Sequence, residues 1–117
     1  MGIARVRGTA GETLAAAYLA LAGLEVRERN ARIAGVEVDL VAADGRTEVL
    51  VEVKLRTRSD YGGAAWAVDA AKRARLLRAA AARSAGGRAV RVDVVAVELL
   101  ADGLVLRHYR NALEDGR

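Results

Sequence analysis

Apolar and polar residues alternate along this chain with two different periods, and the changes of period divide it into seven elements. Leu14, Ala17, Tyr18 and Leu21 fall at helical spacing and Gly23 ends the run, which predicts a first helix over residues 9–22. Leu24 to Arg29 alternates as a short strand, and Asn30 to Gly35 reads as a connection. Val36 to Ala42 predicts a second strand, Asp44-Gly45 a tight turn, and Glu48 to Arg56 a third strand. After a loop from Ser59 to Gly63, a long helix is predicted from Ala64 to about Ala85, with Ala67, Ala70, Ala74, Leu77 and Ala81 on one face. Gly86-Gly87 breaks it, and Arg91 to Leu99 and Leu104 to Tyr109 are strands around a turn at Asp102-Gly103. The order α-β-β-β-α-β-β predicts an α/β fold, a mixed sheet flanked by helices. Its third strand, long helix and fourth strand form a βαβ unit, for which a parallel pair and a right-handed crossover are expected.

A length of 117 residues predicts a single domain. Hydrophobic residues are 53% of the chain but aromatics only 3%, with no Phe, so the core must be built from Val, Leu and Ala. The absence of cysteine excludes disulfides, thiol catalysis, zinc ribbons and iron–sulfur clusters. A lone histidine, His108, excludes a His-rich metal site and reads as structural, and two serines, Ser59 and Ser84, argue against a Ser-His-Asp arrangement. No apolar run approaches the roughly 20 residues that span a membrane. The opening MGIARVRG lacks the apolar stretch of a signal peptide, so a cytoplasmic location is expected.

Charge adds a direction. From Lys54 to Arg91 there are ten basic and two acidic residues, a net of +8, against nine basic and thirteen acidic elsewhere, a net of −4. A basic lobe beside an acidic one suits a protein that grips phosphates and holds metal ions next to them, although an Arg-rich helix is equally a solvated face. On that helix Lys72, Arg73, Arg75 and Arg78 are the candidate phosphate contacts. Arg56 and Arg58 leave the third strand and would either meet a phosphate backbone or pair with Asp60. Tyr61 and Trp66 could stack on a base, against the plainer reading of Trp66 as core. Asp93, inside an apolar strand, is expected to pair with Arg91 or a neighbouring strand.

The candidate chemistry lies in the hairpin. Side chains alternate along a strand, so Glu37 and Asp39 share one face, as do Glu52, Lys54 and Arg56. A two-residue Asp44-Gly45 loop would pair Ala43 with Arg46, setting Glu37 opposite Glu52 with Asp39 diagonal to it. Carboxylates about 6 Å apart repel by roughly 3 kcal/mol at an effective dielectric near 20. Lys54 would offset part of this and a divalent cation the rest; oxygen ligands without sulfur or imidazole favour Mg²⁺ or Mn²⁺. The plainer reading is a polar hairpin face with a few ion pairs. Only two of the nineteen basic residues are lysines, Lys54 and Lys72, which suggests that Lys54 is needed as a compact ammonium that orients a water.

Gly8-x-x-Gly11-Glu12, Ala15, Tyr18-Leu19, Gly23 and Asn30-x-Arg32 lead into EVDL (Glu37 to Leu40), then VEVKLR (Val51 to Arg56), Gly62, Ala67-Val68, Lys72, RVDVV (Arg91 to Val95) and a final RNAL. This ordered set closely resembles the bacterial YraN-like family of uncharacterised proteins over nearly the whole chain. That family resembles the restriction-endonuclease-like superfamily and is similar to archaeal Holliday junction resolvases. Glu52-Val53-Lys54 matches the E-x-K half of the superfamily motif, and Asp39 its aspartate. One departure is Val36, where the family usually has glycine; here glycine falls one position earlier, at Gly35.

The resemblance implies metal-assisted phosphodiester hydrolysis on DNA, branched DNA included, with Asp39, Glu52 and Lys54 catalytic. Asp39 and Glu52 would hold Mg²⁺ or Mn²⁺ through their side chains, Val53 through its backbone carbonyl, and Lys54 would position the water. Glu12 corresponds to a glutamate that completes the metal site in junction resolvases, but Thr9-Ala10-Gly11-Glu12 also fits a helix capping box. Glu37 would stand behind the ligands. Because junction resolvases cut two strands symmetrically as dimers, the resemblance leads to the expectation of a homodimer. The alternatives are a non-catalytic nucleic-acid-binding module of the same fold and a structural partner in a protein complex.

Overall fold

The computed structural model describes residues 3–56 and 69–113. Helix α1 (Ile3–Leu21) is followed by strands β1 (Glu25–Ile33), β2 (Val36–Asp44) and β3 (Thr47–Arg56), helix α2 (Ala70–Ser84), and strands β4 (Val90–Leu100) and β5 (Gly103–Tyr109). The seven expected elements are all present in the expected order. The strands form one sheet in the order β1-β2-β3-β4-β5. Only β3 and β4 run parallel, as the βαβ reading required, and the other neighbours are antiparallel. Arg58, Asp60, Tyr61 and Trp66, singled out by the sequence, lie outside the described residues.

The sheet is packed on both faces. Ala15 and Leu19 of α1 cover Leu40, Ala42, Val49, Val51, Val95 and Val97 on one side. Leu76 and Ala79 of α2 join Val41, Leu50 and Val92 on the other, with Ile33, Val36 and Val38 from the outer hairpin. Val, Leu and Ala supply most of this core, as a Phe-free composition demands.

Several boundaries differ from the sequence expectation. Helix α1 begins before Thr9, so Thr9 is no cap and Glu12 lies well inside the helix rather than at a capping position. The expected connection after Arg29 is strand, and β1 turns into β2 only at Ala34-Gly35, both at positive φ (52° and 77°). That turn accounts for the displaced glycine: the second corner of a type I′ turn favours Gly35. Between β2 and β3 the corner residues are Gly45-Arg46 rather than Asp44-Gly45, because Asp44 pairs with Thr47. Gly45 at φ 60° opens this turn, the position that a type II′ hairpin reserves for glycine. The last hairpin likewise turns at Ala101-Asp102, since Leu100 pairs with Gly103.

The long helix needs the largest correction. Asp69 caps α2, its Oδ1 accepting from the Lys72 N–H at 2.8 Å, so this helix starts at Ala70; the expected start at Ala64 lies outside the described residues. Its buried residues are Leu76 and Ala79, while Ala70, Ala74, Leu77 and Ala81 face solvent. Alanines occur on every side of this helix, so their spacing points to no face.

Candidate functional site

The register of the β2–β3 hairpin builds the site. Its ladder runs from Asp44↔Thr47 to Leu40↔Val51 and ends there. One further step would set Asp39 directly across from Glu52, not diagonally, and would oppose Glu37 to Lys54 rather than to Glu52. Both shifts follow from moving the turn by one residue, which carries the register by two and leaves every side chain on its expected face. Beyond Leu40 and Val51 the strands diverge into a fork. Asp39 fills it: its Oδ2 accepts a 2.8 Å hydrogen bond from the Val53 N–H, the donor that a continuing ladder would have paired with backbone. The N–H and C=O of one strand residue point to the same edge, so the Val53 carbonyl also opens onto the fork.

Glu52 is 4% exposed. Its Oε2 lies 3.3 Å from the Lys72 Nζ, and its Oε1 is buried with no hydrogen-bond partner among the described residues. Burial and the neighbouring Asp39 charge push the Glu52 carboxyl up to about 7, against the pull of Lys72 and then Lys54. Asp39 is raised as well, chiefly by burial, with the Val53 N–H, Lys72 and contact with Glu52 opposing. The two acids therefore converge, on a site with too few donors to satisfy two full charges.

Gly11 brings a third carboxyl near. It packs over β3, where a Cβ would lie 3.8 Å from both Val53 and Leu55, so α1 crosses the exit of β3 with Glu12 next in line. Burial and Asp39 raise the Glu12 carboxyl, while a hydrogen bond to Asn30 and the Arg29 charge hold it down. Arg29 Nη2 stands 3.9 Å from Glu12 Oε1. Glu37 is exposed and adds its charge to both Glu12 and Asp39. Among the described residues no three Asp, Glu or His side chains close on a single point as a ready-made metal cage.

The basic candidates divide. Lys54 is half-buried on the Glu52 face of β3, its charge acting on Glu52 and on Asp69. Arg56 is also half-buried, its Nε without a hydrogen-bond partner among the described residues. Arg75 and Arg78 are exposed on α2 and Arg73 is half-buried. Lys72, expected on the outer cationic surface, turns inward to Glu52 instead. Sequence reasoning missed this, and the available signal was its spacing: Lys72, Leu76, Ala79 and Arg83 follow one helical stripe.

A second buried acid, Glu48, receives Arg83 at 2.9 Å and Arg88 at 3.4 Å. Asp93, fully buried, takes Arg91 at 3.0 Å and His108 at 2.7 Å, and accepts the Asn111 N–H at 2.9 Å. His108 Nδ1 meets the Tyr18 hydroxyl at 3.0 Å. The expected pairing of Asp93 with Arg91 and the structural place of His108 are thus both met.

These observations define an α/β mixed-sheet protein with a paired-carboxylate centre in the fork between β2 and β3, midway along the parallel β3–β4 ladder. The chain belongs to the Uncharacterised protein family UPF0102, which it matches over residues 11–97, a stretch containing every acid and lysine of the site. It is 52% identical over 100 residues to a UPF0102 protein of Bordetella petrii, covering 78% of this chain and 62% of that one. A relative in Dechloromonas aromatica is 50% identical over 74 residues, 63% of this chain and 62% of that one. For Moorella thermoacetica the figures are 46% over 99 residues, 81% and 82%. The chain therefore spans about three-fifths of the Bordetella and Dechloromonas relatives and most of the Moorella one.

Proposed function

We propose that this chain is a metal-dependent nuclease of the restriction-endonuclease-like kind, hydrolysing phosphodiester bonds in DNA, branched DNA included. The observation that carries this reading is the convergence of Asp39 and Glu52 in the β2–β3 fork, with Lys54 two residues beyond Glu52. The donors present fit a hard divalent cation. They are all oxygens, the Glu52 Oε1 has no donor among the described residues, and the Val53 carbonyl opens on the same side. Asp39 and Glu52 would hold Mg²⁺ or Mn²⁺, with Val53 contributing its carbonyl and Glu12 within electrostatic reach. The bound ion would lower the pKa of a water and neutralise charge developing on the phosphate.

The remaining work falls to the chain. Asp39 is fixed by its bond to Val53, so its free oxygen is held in one direction. Lys54 presents an ammonium on the Glu52 face, suited to orienting a water toward phosphorus. Arg56, Arg75 and Arg78 supply guanidinium groups for the flanking phosphates, which they would grip bidentately.

The test is a cleavage panel of labelled linear, flapped and four-way DNA with Mg²⁺ or Mn²⁺. Wild type is expected to cut at least one substrate and Lys54→Ala none; equal cutting by both would expose a contaminant. A non-catalytic nucleic-acid-binding module is favoured by one observation, that among the described residues no third acid closes on the pair. Calorimetric titration of Mn²⁺ into wild type and Asp39→Asn separates the two: uptake by wild type alone supports the nuclease, and no uptake by either supports the module.

A further inference from the structure

The charge that meets the acidic pair comes from a different element than the strand motif suggests. Lys72 leaves the first turn of α2 on its inward face, four residues before buried Leu76, and reaches Glu52 Oε2 at 3.3 Å. It acts favourably on both Glu52 and Asp39, whereas Lys54 divides its charge between Glu52 and Asp69. The backbone at Lys72 is pinned, because its N–H is held by the Asp69 cap at 2.8 Å. Its side chain is not. It is one-third exposed, on a flexible four-carbon stem, and so has a way out to solvent.

One ammonium serves this pair incompletely. It contacts one oxygen of Glu52 and leaves the other buried, with no donor among the described residues. A divalent ion seated between Asp39 and Glu52 would satisfy that oxygen, but would also bring two positive charges against the Lys72 ammonium in a poorly screened setting.

We propose that Lys72 is an internal counter-ion that occupies the Asp39–Glu52 pair until a divalent cation displaces it, so that metal entry requires its ammonium to swing off Glu52. The proposal rests on the metal-dependent reading above and adds a loading step to it. Lys72 keeps the empty site folded and makes it selective for cations that bind strongly enough to evict it.

The chain contains only two lysines, Lys54 and Lys72, so amine acylation followed by peptide mass spectrometry reports on each separately. In the full chain, saturating Mg²⁺ is expected to raise the acylation rate of Lys72 several-fold. Calorimetric titration with Mn²⁺ is expected to show Lys72→Met binding about tenfold tighter than wild type, equivalent to about 1.4 kcal/mol. Lys72→Arg, which keeps the charge, should stay near the wild-type affinity. Mn²⁺ uptake by wild type with Lys72 acylation unchanged or reduced would overturn the displacement while leaving the metal site standing. A Met variant that binds no tighter would do the same. If neither wild type nor variant takes up Mn²⁺, the metal-dependent reading falls and the displacement with it.

Discussion

A buried carboxyl beside another carboxyl opposes folding unless a proton or a cation meets it, and among the described residues a single ammonium, that of Lys72, contacts Glu52. Its carboxyl is pushed from 4.5 to about 7 by burial first and by Asp39 second. The folded state therefore holds this proton more tightly than the unfolded chain does. The stability so gained is complete below about pH 4.5 and is lost as the pH rises through about 7. Urea unfolding between pH 4.5 and 8, without metal, is expected to show wild type losing about 2–3 kcal/mol. Glu52→Gln, which is neutral throughout, should lose markedly less; an equally steep decline would assign the effect to other groups. Glu12 and Asp39 are raised in the same direction, so a smaller slope remains in the variant.

At the scale of elements, α2 is fastened to β3 near both ends. Lys72 sits on Glu52 and Arg83 on Glu48, three helical turns and four strand residues apart, with Leu76 and Ala79 packed between. Turns bear the strain elsewhere. Ala34 holds φ 52°, where a Cβ crowds the backbone, at a corner that asparagine tolerates better. Ala34→Asn is expected to raise stability by about 0.5–1 kcal/mol, read as a higher melting temperature. Much of this level was legible in the sequence. Val36 to Leu40 and Val51 to Leu55 alternate cleanly, and the glycines mark the turns to within a residue. What escaped has physical causes. Asp44-Gly45 and Gly45-Arg46 are both acceptable corners, and only cross-strand packing chooses between them. Alanine hides which side of α2 is buried, and a lysine that neutralises a buried acid looks in sequence like any solvated lysine. Asp39 and Glu52 were legible because two strands and a short turn leave few ways to place them.

Across the whole molecule the net charge of +4 is unevenly spread, with the stretch from Lys54 to Arg91 at +8. Among the described residues of that stretch, Lys72, Arg83 and Arg88 contact buried glutamates and Arg91 a buried aspartate, while Arg75 and Arg78 are exposed on α2. If this face meets DNA, log affinity should fall linearly with log salt concentration. Replacing Arg75 and Arg78 together by Ala should lower that slope by about 2. Fluorescence anisotropy over a salt series measures it, and an unchanged slope would move the contact elsewhere. The aspartate that spans the β2–β3 fork has a practical bearing on any mutational survey of this protein. Asparagine there retains an oxygen for the Val53 amide and subtracts only the ionic character, whereas alanine also unfastens the seam between two strands. An inactive alanine mutant would thus conflate chemistry with architecture, and asparagine is the substitution that tells them apart.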